Sequence, residues 1–116
     1  MSDENIFEAY KQVALGIEKV QVTDDELVLE YKDGRKETYF FKDLKKVTII
    51  TTDQGPFEED VFWLMLLEEM IIMIPQIAGT DKLLERLQKL PEFNNEQVIK
   101  AMTSTDNNSF LVWEKR

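Results

Sequence analysis

The sequence contains no cysteine and no histidine, and these two absences exclude several classes of site. Without cysteine the chain has no disulfide framework, no thiolate zinc site and no thiol nucleophile, which fits a reducing compartment. Without histidine it lacks the catalytic triad, the commonest general base and the imidazole ligands of most metal sites. We therefore predict no enzymatic activity, no metal centre and no cofactor.

Long hydrophobic runs are also missing. The most apolar stretch, Val61 to Ile74, is interrupted by Glu68 and Glu69 and is shorter than the roughly 20 residues of a membrane-spanning helix. The first residues, MSDENIFEAYKQ, are acidic and polar, whereas a signal peptide begins basic and continues apolar. We predict a cytoplasmic protein that does not contact a membrane.

Positive charge is scarce, because 14 lysines and arginines stand against 23 aspartates and glutamates, a net charge of -9. Such a balance repels phosphate backbones and favours basic partners, so we predict no binding to nucleic acid. The exception is a basic island within residues 32–46, which we interpret as a solvated sheet edge or, alternatively, an anion patch interleaved with Tyr31, Tyr39 and Phe41. Its cations are Lys32, Arg35, Lys36, Lys42, Lys45 and Lys46.

The composition, the hydrophobic periodicity and the turn residues of the sequence predict one α+β domain over residues 1–116. The composition, 43% hydrophobic and 32% charged, is typical of a globular protein. Periodicity and turn residues predict an N-terminal helix, an antiparallel meander of about six to seven strands, two helices and a C-terminal strand. We expect the N-terminal helix at about 3–15, the sheet at about 17–75, the two helices within about 80–103 and the final strand at about 109–115.

Two local patterns are clear in the first half of the chain. Ile6, Tyr10, Val13 and Ile17, with Phe7 and Ala14 alongside, recur at helical spacing, which predicts the first helix, with Gly16 as its stop. The Asp-Gly pair in residues 32–35 predicts a tight hairpin, because glycine readily adopts the positive φ of such turns.

The segment EEDVFWLMLLEEMIIMIP is ambiguous between one buried helix and two strands. A helix that is apolar on all sides is difficult to bury in so small a domain. We therefore predict strands Val61 to Leu67 and Met70 to Ile74, with Glu68-Glu69 as the turn and Pro75 as the end. The clustered methionines Met65, Met70 and Met73 are interpreted as core filling.

The last third of the chain predicts two helices. Thr80 is the expected N-cap of DKLLERLQKL. The second helix, NEQVIKAM, is expected to begin near Asn94 or Asn95 and to bury one face. That face comprises Val98, Ile99 and Met102.

The stretch TTDQGPFEEDVFW is the most conspicuous candidate site. Its carboxylates suggest a hard-cation site or an acid/base pair, but they lack the spacing of a calcium loop, so we prefer a structural turn. The two tryptophans are expected to face the core or an open groove, where an exposed one would contact a partner. The speculative binding residues are Asp53, Gln54, Glu58, Glu59, Asp60, Trp63 and Trp113.

Two resemblances bear on this sequence. TTDQGPFEEDVFW and LPEFNNEQVIKAMTST resemble the motifs of a group of small bacterial proteins of unassigned function. That resemblance covers about Leu27 to Trp113 and implies no catalytic residue. More weakly, YFFKDLKKVTI and the strands around it are similar to bacterial pleckstrin-homology-like domains, which implies a bent antiparallel sheet used for binding.

These observations favour a protein-interaction module, either with a protein partner or as a homodimer through an apolar strand edge. One alternative is an immunity-type inhibitor that neutralises a basic toxin by charge complementarity. Another is a small enzyme built on the carboxylates between residues 53 and 60. The sequence does not identify a small-molecule ligand.

Overall fold

The computed structural model of the protein describes residues 3–53 and 61–116, with side chains from residue 6 onward. It contains three α-helices, seven strands and one short 3-10 helix within those ranges. They are α1 (Asp3–Ala14), β1 (Ile17–Val22), β2 (Glu26–Tyr31), β3 (Lys36–Phe40), the 3-10 turn Phe41–Asp43, β4 (Leu44–Thr51), β5 (Val61–Leu67), β6 (Met70–Pro75), α2 (Thr80–Leu87), α3 (Asn95–Thr103) and β7 (Asn108–Glu114).

The strands form two antiparallel sheets. One has the order β1-β2-β3, and the other has the order β6-β5-β4-β7. The 3-10 turn carries the chain from β3 of the first sheet into β4 of the second. The prediction of an α+β meander with an N-terminal helix and two helices before a C-terminal strand is confirmed.

Both predicted hairpins are present. In the first, the Gly34 N–H donates to the Tyr31 carbonyl at 2.9 Å, and Gly34 has a φ of 95°. In the second, Leu67 and Met70 are paired and Glu68 adopts a left-handed φ of 48°. The two-residue turn at Glu68 thus forms although glutamate is a poor choice for positive φ, because seven apolar residues of β5 anchor the preceding strand.

The main core lies between the two sheets, and β5 is buried on both of its faces. Trp63 and Met65 point into the main core, where both are fully buried. Phe62, on the opposite face, packs against α1, and its ring meets that of Phe7 edge-on at a centroid distance of 6.0 Å. An apolar face on each side of a strand is what two-sided burial requires.

Only part of the predicted apolar set of α1 is buried. Ile6 and Val13 are 48% and 58% exposed, so these two residues face solvent. The helix presents Phe7, Tyr10 and Ala14, which belong to the same predicted set, to the outer face of the second sheet. The aromatic ring of Phe7 offers a larger apolar surface than Ile6 or Val13, which favours burial of this side of the helix.

Four further side chains correct the sequence predictions. Thr80 is the first residue of α2 rather than its N-cap; Gly79 caps the helix, and the Thr80 hydroxyl donates to the Ile77 carbonyl at 2.7 Å. Ile99 and Met102 are 65% and 40% exposed, because α3 turns only Val98 and Ala101 inward. Met70, beside the hairpin turn, is 52% exposed and is not core filling.

The prediction that α3 begins at Asn94–Asn95 is confirmed, since the Asn94 side chain accepts from the Gln97 N–H at 3.1 Å.

A candidate binding cleft between two strand edges

Three of the predicted site residues, Asp53, Trp63 and Trp113, are described by the structure, and they lie in different parts of the fold. The Trp63 indole donates to Gln76 Oε1 at 2.8 Å, and the Trp113 indole donates to the Pro91 carbonyl at 2.9 Å. Both tryptophans are buried with their polar atoms satisfied, so they support the core. Asp53 is exposed and its N–H donates to Asn107 Oδ1 at 3.3 Å. The remaining predicted residues, Gln54, Glu58, Glu59 and Asp60, lie outside the described residues.

The basic island does not form one surface. Arg35 is bonded to Asp33 at 2.8 Å, and Lys36 lies 3.7 Å from Glu30 on the outer face of the first sheet. Lys45 belongs to the second sheet and lies 3.6 Å from Glu68. These pairings divide the island between two sheets and neutralise much of it.

A cleft opens where the edge strand of one sheet faces the edge strand of the other, and we call it the β3–β6 cleft. Its volume is ≈ 260 Å³. The first sheet contributes side chains from β2, β3 and their turn, β6 contributes four consecutive residues, and α1 contributes two. The lining residues are Leu29, Tyr31, Arg35, Glu37, Tyr39, Met70–Met73, Tyr10 and Val13.

The backbone of β3 leaves this cleft with an open edge. Residues Tyr31 and Arg35, and likewise Asp25 and Phe41, are hydrogen-bonded across β2 and β3. Hydrogen-bonded pairs alternate in an antiparallel ladder, so the N–H and C=O groups of Lys36, Thr38 and Phe40 point away from β2. Within the described ranges, none of these three N–H groups donates to another backbone group.

The backbone of β6 forms a second open edge. The Gln76 N–H donates to the Val61 carbonyl at 3.2 Å, which sets the alternation along β5 and β6. Ile71 and Met73 therefore direct their N–H groups away from β5. No described backbone carbonyl accepts from either group, and Ile71 is 41% exposed.

The polar centre of the cleft is a carboxylate held by two phenols. Glu37 Oε1 accepts from the Tyr31 hydroxyl at 2.6 Å and from the Tyr39 hydroxyl at 3.2 Å. Burial, followed by the charge of Glu37, raises the pKa of Tyr39 to about 12. Burial and the hydrogen bond to Glu37 also raise the pKa of Tyr31 well above its usual range. Both phenols therefore stay protonated at neutral pH and remain donors to Glu37.

The other carboxylate oxygen of Glu37, Oε2, accepts no hydrogen bond from any residue that the structure describes. The neighbouring Arg35 donates from Nε to Asp33 at 2.8 Å, and its guanidinium carbon lies 4.5 Å from the centre of the Tyr31 ring. The cleft thus combines an apolar wall, two donor phenols and one acceptor oxygen. Apolar hollows with a few convergent polar groups are typical of binding sites.

A larger hollow of ≈ 370 Å³ lies between the α2–α3 connection and the end of β7. Its principal polar groups already have partners, since Trp113 donates to Pro91 and Arg116 lies 2.9 Å from Glu92. The strand that borders it, β7, is an edge of the second sheet, but the α2–α3 connection covers part of this edge, since the Asn94 N–H donates to the Val112 carbonyl at 2.8 Å. The β3–β6 cleft is therefore the stronger candidate.

Comparison with family models, with curated proteins and with solved structures finds no match. No helix in the described ranges is long and apolar enough to cross a membrane. Residues 3–53 and 61–116 contain no group of three or more acidic side chains arranged to hold a metal ion. The assignment of a function therefore depends on the geometry of this chain alone.

Sequence reasoning missed Glu37 as a functional residue. The sequence pattern that could have indicated Glu37 is the alternation in KETYF. It places Glu37 and Tyr39 on one face of β3 and Lys36, Thr38 and Phe40 on the other. A carboxylate that shares the inward face with a tyrosine points to a polar group inside the domain. Whether that face is covered or open depends on β6, which the local sequence of β3 does not specify.

Proposed function

We propose that the protein binds another protein by accepting an extended segment along β3, at the mouth of the β3–β6 cleft. The observation that carries this proposal is the row of outward N–H and C=O groups at Lys36, Thr38 and Phe40. In strand addition, such groups supply affinity through backbone hydrogen bonds, and nearby side-chain pockets supply selectivity.

The size of the cleft supports a partner side chain as its occupant. Pockets for small molecules usually measure about 300–1,000 Å³, whereas this cleft measures ≈ 260 Å³. One or two side chains of a docked strand fit such a volume better than a cofactor. The exposed wall of Met70 and Ile71, 52% and 41% accessible, offers apolar contact for them.

The test uses random peptides of about ten residues displayed on phage, which is long enough for one strand. Peptides enriched on the immobilised protein are then synthesised, and their affinity is measured by fluorescence anisotropy. Thr38→Pro removes the central outward N–H of β3 and should weaken binding by about tenfold or more, equivalent to about 1.4 kcal/mol. Thr38→Val keeps that N–H and should bind like the parent.

Circular dichroism of both variants checks that the fold is retained. Equal binding by Thr38→Pro and Thr38→Val would show that β3 is not the docking edge. The absence of any enriched peptide would overturn the proposal of strand addition.

Self-association through β6 is a second candidate, favoured by the exposed Ile71 on an edge with unpaired donors. Two copies related by a twofold axis would pair β6 with β6 and extend the four-stranded sheet. Sedimentation equilibrium should then show a dimer that Ile71→Pro dissociates and Ile71→Thr weakens less, since threonine keeps the N–H. A monomer at all concentrations would exclude this candidate. The immunity-type inhibitor stays a prediction from the net charge of -9.

A further inference from the structure

We infer that Glu37 selects the segment that β3 accepts, and that this segment carries a lysine or arginine opposite Glu37. The inference rests on the proposed strand addition and names the chemistry of the partner. It starts from the carboxylate oxygen Oε2 of Glu37, which no described residue donates to.

The register of β3 fixes where a partner side chain would stand. An antiparallel segment would form its hydrogen bonds with Lys36, Thr38 and Phe40, the residues whose backbone groups point outward. Glu37 and Tyr39 would then lie opposite partner residues at non-hydrogen-bonded positions, where facing side chains are closest. The residue opposite Glu37 is therefore in direct reach of its carboxylate.

Desolvation makes the identity of that residue decisive. A strand laid beside β3 would remove water from Glu37 Oε2, which no described residue donates to, whereas Oε1 keeps its two phenol donors. Burying a charged oxygen without a compensating donor is costly. Its neighbour Arg35 directs its Nε–H to Asp33 at 2.8 Å, so a cation on the docked segment is the donor that the partner itself would bring to Oε2. An inward-pointing charge on an edge strand is also a known barrier to indiscriminate strand pairing. Glu37 thus rejects apolar strands and admits one that brings a cation.

The same register predicts a short recognition pattern. In an antiparallel segment the residue opposite Tyr39 precedes the residue opposite Glu37 by two positions. Apolar side chains suit the first position, because Tyr39 and Met70–Met73 line the same cleft. The pattern is therefore an apolar residue, any residue, and then lysine or arginine. The net charge of -9 favours encounters with such a basic segment.

The experiment first reads the peptides enriched from the phage library for this pattern. A synthetic peptide is then compared with one in which norleucine replaces the lysine, since norleucine has a similar apolar chain without the ammonium group. Against the parent protein we expect the norleucine peptide to bind about ten- to a hundredfold more weakly. Against Glu37→Gln the two peptides should differ much less.

Glu18→Gln is the matched control, because it removes the same charge from an exposed site on β1, the opposite edge. It should preserve the preference for lysine. Enriched peptides without a cation, or equal binding of the lysine and norleucine peptides to the parent, would overturn the inference while leaving strand addition intact. If Glu37→Gln does not fold, Glu37→Asp takes its place, since it keeps the charge but withdraws the carboxylate by one methylene and should reduce the preference for lysine. If Thr38→Pro binds normally, the proposed function itself fails.

Discussion

β1 and β3 form the two edges of the same three-stranded sheet, and their backbones meet different surroundings. Along β1, the Val20 N–H donates to the Ala78 carbonyl at 3.0 Å, and Lys19 forms a parallel bridge with Ala78. Along β3, Thr38 and its outward neighbours meet no backbone acceptor among the described residues. An open edge can pair with another chain, so the two edges of this sheet differ in whether a further strand can still join them.

The covered edge depends on one glycine. Gly79 has a φ of 95°, and a Cβ at that position would lie 2.0 Å from the Val20 carbonyl oxygen. Only a residue without a side chain lets the chain enter α2 so close to β1. Closing the second edge in the same way would need a similar approach to β3, and the described part of the chain provides none.

Disruption of the core that both edges share should have the largest effect. Trp63 is fully buried between the sheets and donates to Gln76, so Trp63→Ala should reduce the free energy of unfolding by about 3–5 kcal/mol. Urea unfolding measures this loss. Leu111→Ala, at a site 44% exposed in the same sheet, should cost about 1 kcal/mol or less. Equal losses would mean that Trp63 is not part of the packed core.

Gly79→Ala should disrupt the contact that covers the β1 edge. The new Cβ meets the backbone of Val20 at an impossible distance and also forces alanine into a left-handed conformation. We expect a loss of about 3 kcal/mol or more in the free energy of unfolding. Gly34→Ala is the matched control, since Gly34 has the same φ of 95° but no heavy atom within 4 Å of its Cβ position. It should cost only about 1 kcal/mol, so similar losses would show that the β1 edge is not tightly sealed.

The contrast between these edges explains how far the sequence alone could lead. Asp33-Gly34 and the alternation in ELVLEY and KETYF predict the hairpin and its two faces, because both signals are local. The contact between Gly79 and Val20 joins residues 59 positions apart, and no local pattern encodes it. The cleft depends in the same way on β6 facing β3. The fold was therefore largely predictable, whereas the candidate site was not.

Alkaline pH should weaken the side of the fold that carries the open edge. The pKa of Tyr39 is raised to about 12 and that of Tyr31 is raised further, first by burial and then by Glu37. An acid whose pKa is higher in the folded state contributes full stability below its unfolded pKa, which is about 10 for tyrosine, and loses it as the pH rises. Unfolding free energy should fall between about pH 10 and 12.

The matched variant for this titration is Glu37→Gln, which removes the charge but keeps an oxygen that accepts from both phenols. Ultraviolet absorbance of tyrosinate should then show ionisation at lower pH than in the parent, while burial keeps the pKa values above the usual one. Unchanged titration would mean that Glu37 does not interact with these phenols in solution.

The smallest expected effect on stability belongs to Thr38→Pro, at the centre of the open edge. Thr38 directs its N–H away from β2, so proline removes no hydrogen bond of the β2–β3 ladder. The preceding residue, Glu37, is already extended in β3, as a residue before proline must be. We therefore expect urea unfolding to show a loss within about 1 kcal/mol. A loss of several kcal/mol that grows with protein concentration would mean that a second copy already covers β3 in solution, and the two edges would then differ only in what covers them.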